Sequence, residues 1–218
     1  DYSYNTIVNF KQYGYIDLGI HKQKTSYQSY LELENLHYYS FILNIDQIDD
    51  ILHPREGYNY KFSFEKSNRK YKYYIGKLEF NHFIPISHTS RIKCYGDIIH
   101  SNLNHSDSQL ISKSIHYMAY DRTLSYSQFN LFVNKLFSSG LELNIDYKNS
   151  TTLRFLYNNI YEAEFKHNGD IHKNLRSYGI GLRIKSILGP LNFMWTTTND
   201  PIYNIKQNNY FFNLGFNY

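Results

Sequence analysis

Residues 58–65 read YNYKFSFE. Tyr58, Tyr60, Phe62 and Phe64 are aromatic and the intervening Asn59, Lys61, Ser63 and Glu65 are polar, so the two kinds alternate with a period of two. Successive side chains of an extended strand point to opposite faces, and this alternation therefore describes a strand with one greasy and one wet face. Wound into a helix, the same residues would put both kinds on every side.

The rhythm continues outward in both directions. Leu141, Leu143, Ile145 and Tyr147 alternate with Glu142, Asn144 and Asp146, and Tyr178, Ile180, Leu182 and Ile184 alternate with Gly179, Gly181, Arg183 and Lys185. Looser versions occur at Ile16, Leu18, Ile20, at Tyr39, Phe41, Leu43, Ile45, and at Tyr210, Phe212, Leu214, Phe216, Tyr218. Together they predict about twelve strands, at 14–22, 26–34, 37–46, 57–66, 71–86, 89–100, 126–137, 139–148, 177–186, 190–197 and 208–218, with a weaker one within 1–12. Ser138-Ser139-Gly140 and Leu188-Gly189-Pro190 read as tight turns, whereas 100–125, 149–176 and 198–207, rich in Asn, Ser and His, read as longer loops.

Composition supports strands. The 218 residues include 24 Tyr and 15 Phe but only 4 Pro, a mixture that favours sheet over helix and argues against disorder. The length suits one domain, 1–218. One cysteine, Cys94, rules out an internal disulfide and a cysteine-based zinc site. A net charge of +4 without a clustered basic patch gives no nucleic-acid surface. No stretch reaches the roughly 20 apolar residues of a membrane helix, and mean hydropathy is −0.56. The start at Asp1, without Met or a signal-like segment, suggests a mature, trimmed or excised chain.

An antiparallel sandwich and a transmembrane barrel both alternate. Strands of about 9–11 residues suit a tilted crossing of a bilayer, and short turns at one end with longer loops at the other are a barrel pattern. Tyr58, Tyr60, Tyr71, Tyr73, Tyr74 and Tyr210, near strand ends, suit interfacial girdles where a ring meets lipid and its hydroxyl meets water. The expectation is an all-β, antiparallel transmembrane β-barrel with polar residues inside, where Arg183 and Lys185 would offset Glu142 and Asp146 across the lumen.

Residues 177–218, SYGIGLRIKSILGPLNFMWTTTNDPIYNIKQNNYFFNLGFNY, resemble the end of the BamA/TamA-type outer-membrane assembly-factor (bacterial surface antigen) superfamily. Gly179, Gly181 and Arg183 lead into Gly189-Pro190, then an apolar strand, a polar loop and a final strand. That strand carries Leu214, Gly215, Phe216 and Tyr218, like the family's terminal assembly signal. Residues 46–66, with Asp49, Asp50, Pro54 and Gly57, are similar to the family's acidic stretch and P-x-x-G strand opening; residues 73–98, in which Pro85 ends a strand, resemble its next hairpin. The resemblance implies a sixteen-stranded barrel of which this chain is the C-terminal part, with four strands and any periplasmic or catalytic domain upstream. It also implies residence in the bacterial outer membrane, with lipid and the barrel-assembly machinery as partners; two copies could pair.

The chain departs from the family's protein-inserting members at the lumen loop, where they carry Arg-Gly-Phe or Arg-Gly-Tyr. No such tripeptide occurs here, and Arg122 in Tyr120-Asp121-Arg122 is a weak stand-in. In this the chain is similar to the barrels of patatin-like type V secreted phospholipases, in which a hydrolase precedes the barrel. No G-x-S-x-G elbow is present, so no catalytic motif is assigned to this chain and no cofactor is implied. His105-Ser106-Asp107 is contiguous, but neighbours on an extended chain point apart, and a triad is built by geometry. His82, His88 and His100 read as loop or lumen residues. The expected function is anchoring or translocating an attached domain; the alternatives are protein insertion into the outer membrane, and a passive pore or adhesin.

Overall fold

The computed structural model describes residues 2–10, 13–25, 34–50, 54–68, 72–102, 133–147, 150–165, 171–186, 189–200 and 205–214. Among them are eleven strands and no helix: β1 (Tyr2–Asn9), β2 (Gly14–Thr25), β3 (Glu34–Asp46), β4 (Gly57–Ser67), β5 (Tyr73–Pro85), β6 (Ser90–Ser101), β7 (Val133–Tyr147), β8 (Thr151–Phe165), β9 (Ile171–Ile184), β10 (Leu191–Asp200) and β11 (Ile205–Leu214). They form one sheet in sequence order, every neighbouring pair antiparallel. All but β1 have ten residues or more, which reaches the length of about 9–11 that a tilted strand needs to cross a bilayer.

The register explains why alternation was so legible. Val8, Ile16, Leu43, Phe62, Leu78, Ile98 and Phe137 stand opposite one another in turn from β1 to β7. Ile84, Ile92, Leu143, Phe155, Ile180, Trp195 and Tyr210 make a second row from β5 to β11. Directly paired residues share a face, so both rows lie on one side of the sheet, and a slip of one residue would turn any strand's apolar set to the other side.

Several boundaries differ from the sequence reading. There are eleven described strands rather than about twelve. The supposed turn Ser138-Ser139-Gly140 lies inside β7, which joins the predicted strands 126–137 and 139–148 from Val133 onward. Gly140 is tolerated there because it faces Tyr95 across the ladder, and the Tyr95 ring covers it. Most of 149–176 is not loop but β8 and the start of β9. Its asparagines misled the reading: Asn158 is wholly buried on a polar face, where an amide suits a strand as well as a loop. Likewise 198–207 is mostly the end of β10 and the start of β11. The predicted strand 26–34 lies outside the described residues except for Glu34, which belongs to β3.

Connections at one end of the sheet are 10–13, 47–56, 86–89, 148–150 and 185–190. Those at the other are 26–33, 68–72, 102–132, 166–170 and 201–204. The longest, 102–132, thus joins β6 to β7 at the second end. Near the end of β8 and the start of β9 the ladder leaves out Tyr161 and Asn174 without changing register, while β8 shifts by one residue against β7 between Phe137 and Ser138; Asn174 takes φ 58°, a left-handed conformation that asparagine tolerates better than most residues.

Candidate functional site

The sheet's two faces differ in exposure and in chemistry. Among the described residues, strands make substantial contact only with their sequence neighbours, so no second layer of strands or helices packs on the sheet. One face is nevertheless sheltered, and it mixes apolar with polar side chains: Tyr73, Ile75, Leu136, Ile160, Leu175 and Met194 are buried there. Arg91, Asp97, Ser138, Glu142, Asn144, Thr152, Arg154, Asn158, Ser177, Asn192, Thr196 and Thr198 are all buried there. The other face carries Leu18, Ile20, Tyr39, Phe62, Ile98, Phe137, Leu141, Phe155, Ile180, Trp195 and Phe212, and all of them are exposed. Soluble domains bury apolar side chains and wet their polar ones. Here buried charges share the sheltered face with buried apolar side chains, while the open face is a broad and largely apolar surface of the kind that marks contact with lipid or protein.

The sheltered face of β6 to β10 holds a charged belt near the end that carries the 86–89 and 148–150 connections. Arg154 Nε donates to Glu142 Oε1 at 2.6 Å, with both side chains nearly inaccessible. Arg91 Nη1 donates to Asp146 Oδ2 at 2.7 Å, and Thr152 Oγ1 donates to the other oxygen of that carboxylate at 2.7 Å. In these pairs Arg154 and Arg91, and not Arg183 and Lys185, are the direct partners of Glu142 and Asp146, although the charge of Arg183 also favours the ionised Glu142. Arg183 instead donates from Nε to Asn192 Oδ1 at 2.9 Å, and Lys185 is exposed in the β9–β10 turn. The reason lies in the register: β8 stands between β7 and β9, so Arg154 reaches Glu142 first.

Three glycines of the motifs have clear tasks. Gly57 opens β4 at φ 105°, and an added Cβ would overlap the Gln47 carbonyl, so only glycine fits this start. Gly181, on the sheltered face beside Arg154, brings β9 close to β10; a Cβ there would sit 2.6 Å from the Phe193 carbonyl oxygen. Gly179 is a half-buried neighbour on the same face. Gly189 has φ 106° and donates its N–H to the Ser186 carbonyl at 3.1 Å, which turns the chain ahead of Pro190. Pro54 precedes β4 in the connection that Asp49 ties together, its Oδ1 accepting the N–H groups of Arg55 (2.9 Å) and Glu56 (3.2 Å). Leu214, last in β11, is exposed and pairs with Leu191. Gly215, Phe216, Tyr218, Arg122 and His105-Ser106-Asp107 lie outside the described residues.

Of the girdle tyrosines, Tyr60 and Tyr210 are exposed on the apolar face, and Tyr58 and Tyr74 are half-buried. Tyr73 departs from the reading. It is buried on the sheltered face, where its hydroxyl donates to Glu65, because it stands one position out of phase with Tyr74. Tyr71 is outside the described residues. His82 and His100 lie on the open face, close to the rings of Tyr58 and Tyr74, and His88 is in the β5–β6 turn.

The sequence reading missed one polar cluster. His21 Nε2 and Ser40 Oγ are 2.7 Å apart, and the His21 ring stacks on Tyr38. Gly19 makes room for them, with Asn5 Oδ1 reaching the same spot. These residues come from β1, β2 and β3, and only the cross-strand register brings them together. No carboxylate is hydrogen-bonded to His21 among the described residues. Nor do three or more His, Cys, Asp or Glu side chains converge there as a metal site. No helix among them is long and apolar enough to cross a membrane, which leaves crossing by strands untouched. No family model matches the chain, and no curated protein matches it.

Proposed function

We propose that this chain is an integral β-barrel domain of the bacterial outer membrane that anchors or translocates an attached domain, in the manner of patatin-like secreted phospholipases. The observation that carries the membrane reading is the broad exposed apolar face of a single-layered sheet. Such a face, opposite one that holds ion pairs among its buried side chains, is suited to lipid on one side and to a polar interior on the other. Lipid supplies for the open face an apolar partner that the described residues do not provide. The long strands fit the same reading, as does the placement of the longest connection at one end. The anchoring role rests on the likeness of residues 177–218 to the assembly-factor superfamily and on the lack of an Arg-Gly-Phe or Arg-Gly-Tyr tripeptide.

Fractionation tests the location. Produced with an outer-membrane targeting signal, the protein is expected to stay in the membrane pellet through alkaline carbonate washing and to run faster on a gel unheated than boiled. Release into the supernatant would sink the proposal. A protein that stays in the pellet, yet whose depletion lowers the levels of other barrels, would move the role from anchoring to insertion.

A further inference from the structure

Charge on the open face is one-sided. Register places Lys22 of β2, Lys66 of β4, Lys135 of β7, Arg176 of β9 and Lys206 of β11 on that face. The described acidic side chains of β2 to β7, from Asp17 to Asp146, all fall on the sheltered face. Among the described side chains only the acidic Glu162, past the shift between β7 and β8, stands opposite an open-face residue, Phe137. All five cations sit near the end that carries the 102–132 connection. They do not share one cross-strand row. The row of Lys206 and Arg176 runs through Ser139 and Tyr60 to Gly14, and Lys22 lies eight residues beyond Gly14 on β2. That offset is about 27 Å along the strands for about 43 Å across them, a slope of about 30°. Strands of membrane barrels tilt by about 35–45°, so a belt of this slope lies close to one membrane plane.

On β9 to β11 the belt completes an ordered series. From mid-sheet toward that end, β9 presents Ile180, Tyr178 and Arg176, and β11 presents Tyr210, Asn208 and Lys206 at the same levels. Apolar groups give way to a hydroxyl and an amide and then to cations, the order in which a lipid presents its acyl chains, esters and phosphate. A groove of about 500 Å³ is lined by two adjacent rows of this face, Ile180-Trp195-Tyr210 and Leu182-Phe193-Phe212. Its size and apolar lining are those of a small-molecule site. Arg176 and Lys206 are exposed, and neither has a hydrogen-bond or ion-pair partner among the described residues. At their other ends the same strands finish on Ile184, Leu191 and Leu214, with no charge on this face.

Resting on the membrane reading above, we propose that β9 to β11 bind one anionic, phosphate-bearing lipid, with its phosphate on Arg176 and Lys206 and an acyl chain in the groove beside Trp195. The two cations flank β10 at about 10 Å between their backbones, close enough for long side chains to converge on one phosphate. Four residues, about 13 Å of strand, separate them from Ile180 and Tyr210 in the groove wall, which leaves the esters level with Tyr178 and Asn208. The longest connection at this end is a poorer occupant. Residues 103–132 carry two acids, Asp107 and Asp121, and two bases, Lys113 and Arg122, and so offer the belt no net negative charge.

Trp195, the only tryptophan of the 218 residues, reports on the groove. The whole chain is reconstituted into phosphatidylcholine vesicles that contain dibrominated phosphatidylglycerol or, separately, dibrominated phosphatidylcholine, and quenching of Trp195 gives the relative affinity for the two. Each cation facing an anionic headgroup is worth about fivefold, so phosphatidylglycerol is expected to be preferred by about tenfold or more. Arg176→Gln combined with Lys206→Gln should bring the preference close to unity. Arg176→Lys, which keeps the charge, and Lys66→Gln, five strands away on β4, should leave it in place. Equal quenching by the two lipids, or a preference that survives the double change, would overturn the proposal, while the lipid contact at Trp195 upholds the membrane reading. No quenching by either lipid in protein that resists carbonate extraction would overturn it in favour of a groove filled by the chain itself, residues 103–132 included. No quenching in protein that carbonate releases removes the membrane reading and this proposal together.

Discussion

Glu142 and Arg154 show what a single residue decides in this protein. Their ion pair is almost fully shielded, and removing one partner from such a pair strands the other charge away from water. Glu142→Leu is expected to lower unfolding stability by about 3–5 kcal/mol, whereas the double change with Arg154→Leu recovers most of the loss, because two apolar residues of similar size replace a pair whose attraction mainly offsets its desolvation. Thermal unfolding of the three variants in vesicles checks this, and equal losses for single and double variants would contradict it. Asp49, outside the strands, behaves differently. Slight burial opposes its ionisation, but the N–H groups of Arg55 and Glu56 outweigh that and hold its carboxyl below the usual aspartate value. Its contribution is therefore fully present above the unfolded-state value and is lost as pH falls through the lower folded one. Arg55 and Glu56 amides should lose exchange protection over that acid range in the native protein, and Asp49→Asn should flatten the dependence. The partners of Glu142 were not legible in the sequence, since arginines on several strands share its face and only the register selects Arg154.

At the scale of elements, β7, β8 and β9 carry the irregularities that local signals misjudge. Ser-Ser-Gly ordinarily marks a turn, yet Ser138 donates to Asp97 Oδ2 at 3.3 Å across the ladder and Tyr95 covers Gly140. A cross-strand aromatic thus replaces the side chain that glycine lacks, and the strand runs on. The break falls instead at Tyr161 and Asn174, where Phe137 stacks on Tyr161 with ring centroids 4.9 Å apart. Asn174→Gly should be nearly neutral, because glycine adopts the same φ without strain. Asn174→Val should destabilise by about 1–2 kcal/mol, since a β-branched residue resists the left-handed region. Urea unfolding of the two variants measures the difference, and a tolerated valine would mean that the backbone at that position is not held left-handed.

The whole molecule is distinguished by which face meets its surroundings. Phe155 is 39% exposed in the open apolar row. On a soluble protein, Phe155→Arg at such a surface position would change stability by only about 0.5 kcal/mol or less. If lipid covers the row, the same change near the bilayer midplane should destabilise by about 2–4 kcal/mol. Unfolding titrations in phospholipid vesicles separate the two, and a neutral Phe155→Arg would count against a lipid-facing surface. Exposed Trp195 and Tyr210 belong to the same row, so the prediction extends across four strands from β8 to β11.

By itself the sequence determined that the chain is a sheet and which residues share each face, because period-two alternation depends only on the geometry of an extended backbone. It also marked Leu188-Gly189-Pro190 as a tight turn. Tertiary structure alone decided that β7 continues through Ser138 and Gly140, that Glu142 pairs with Arg154 and Asp146 with Arg91, and that β1 and β11 run the same way. Those facts follow from register and strand count, which arise from pairing between distant segments that no local pattern encodes.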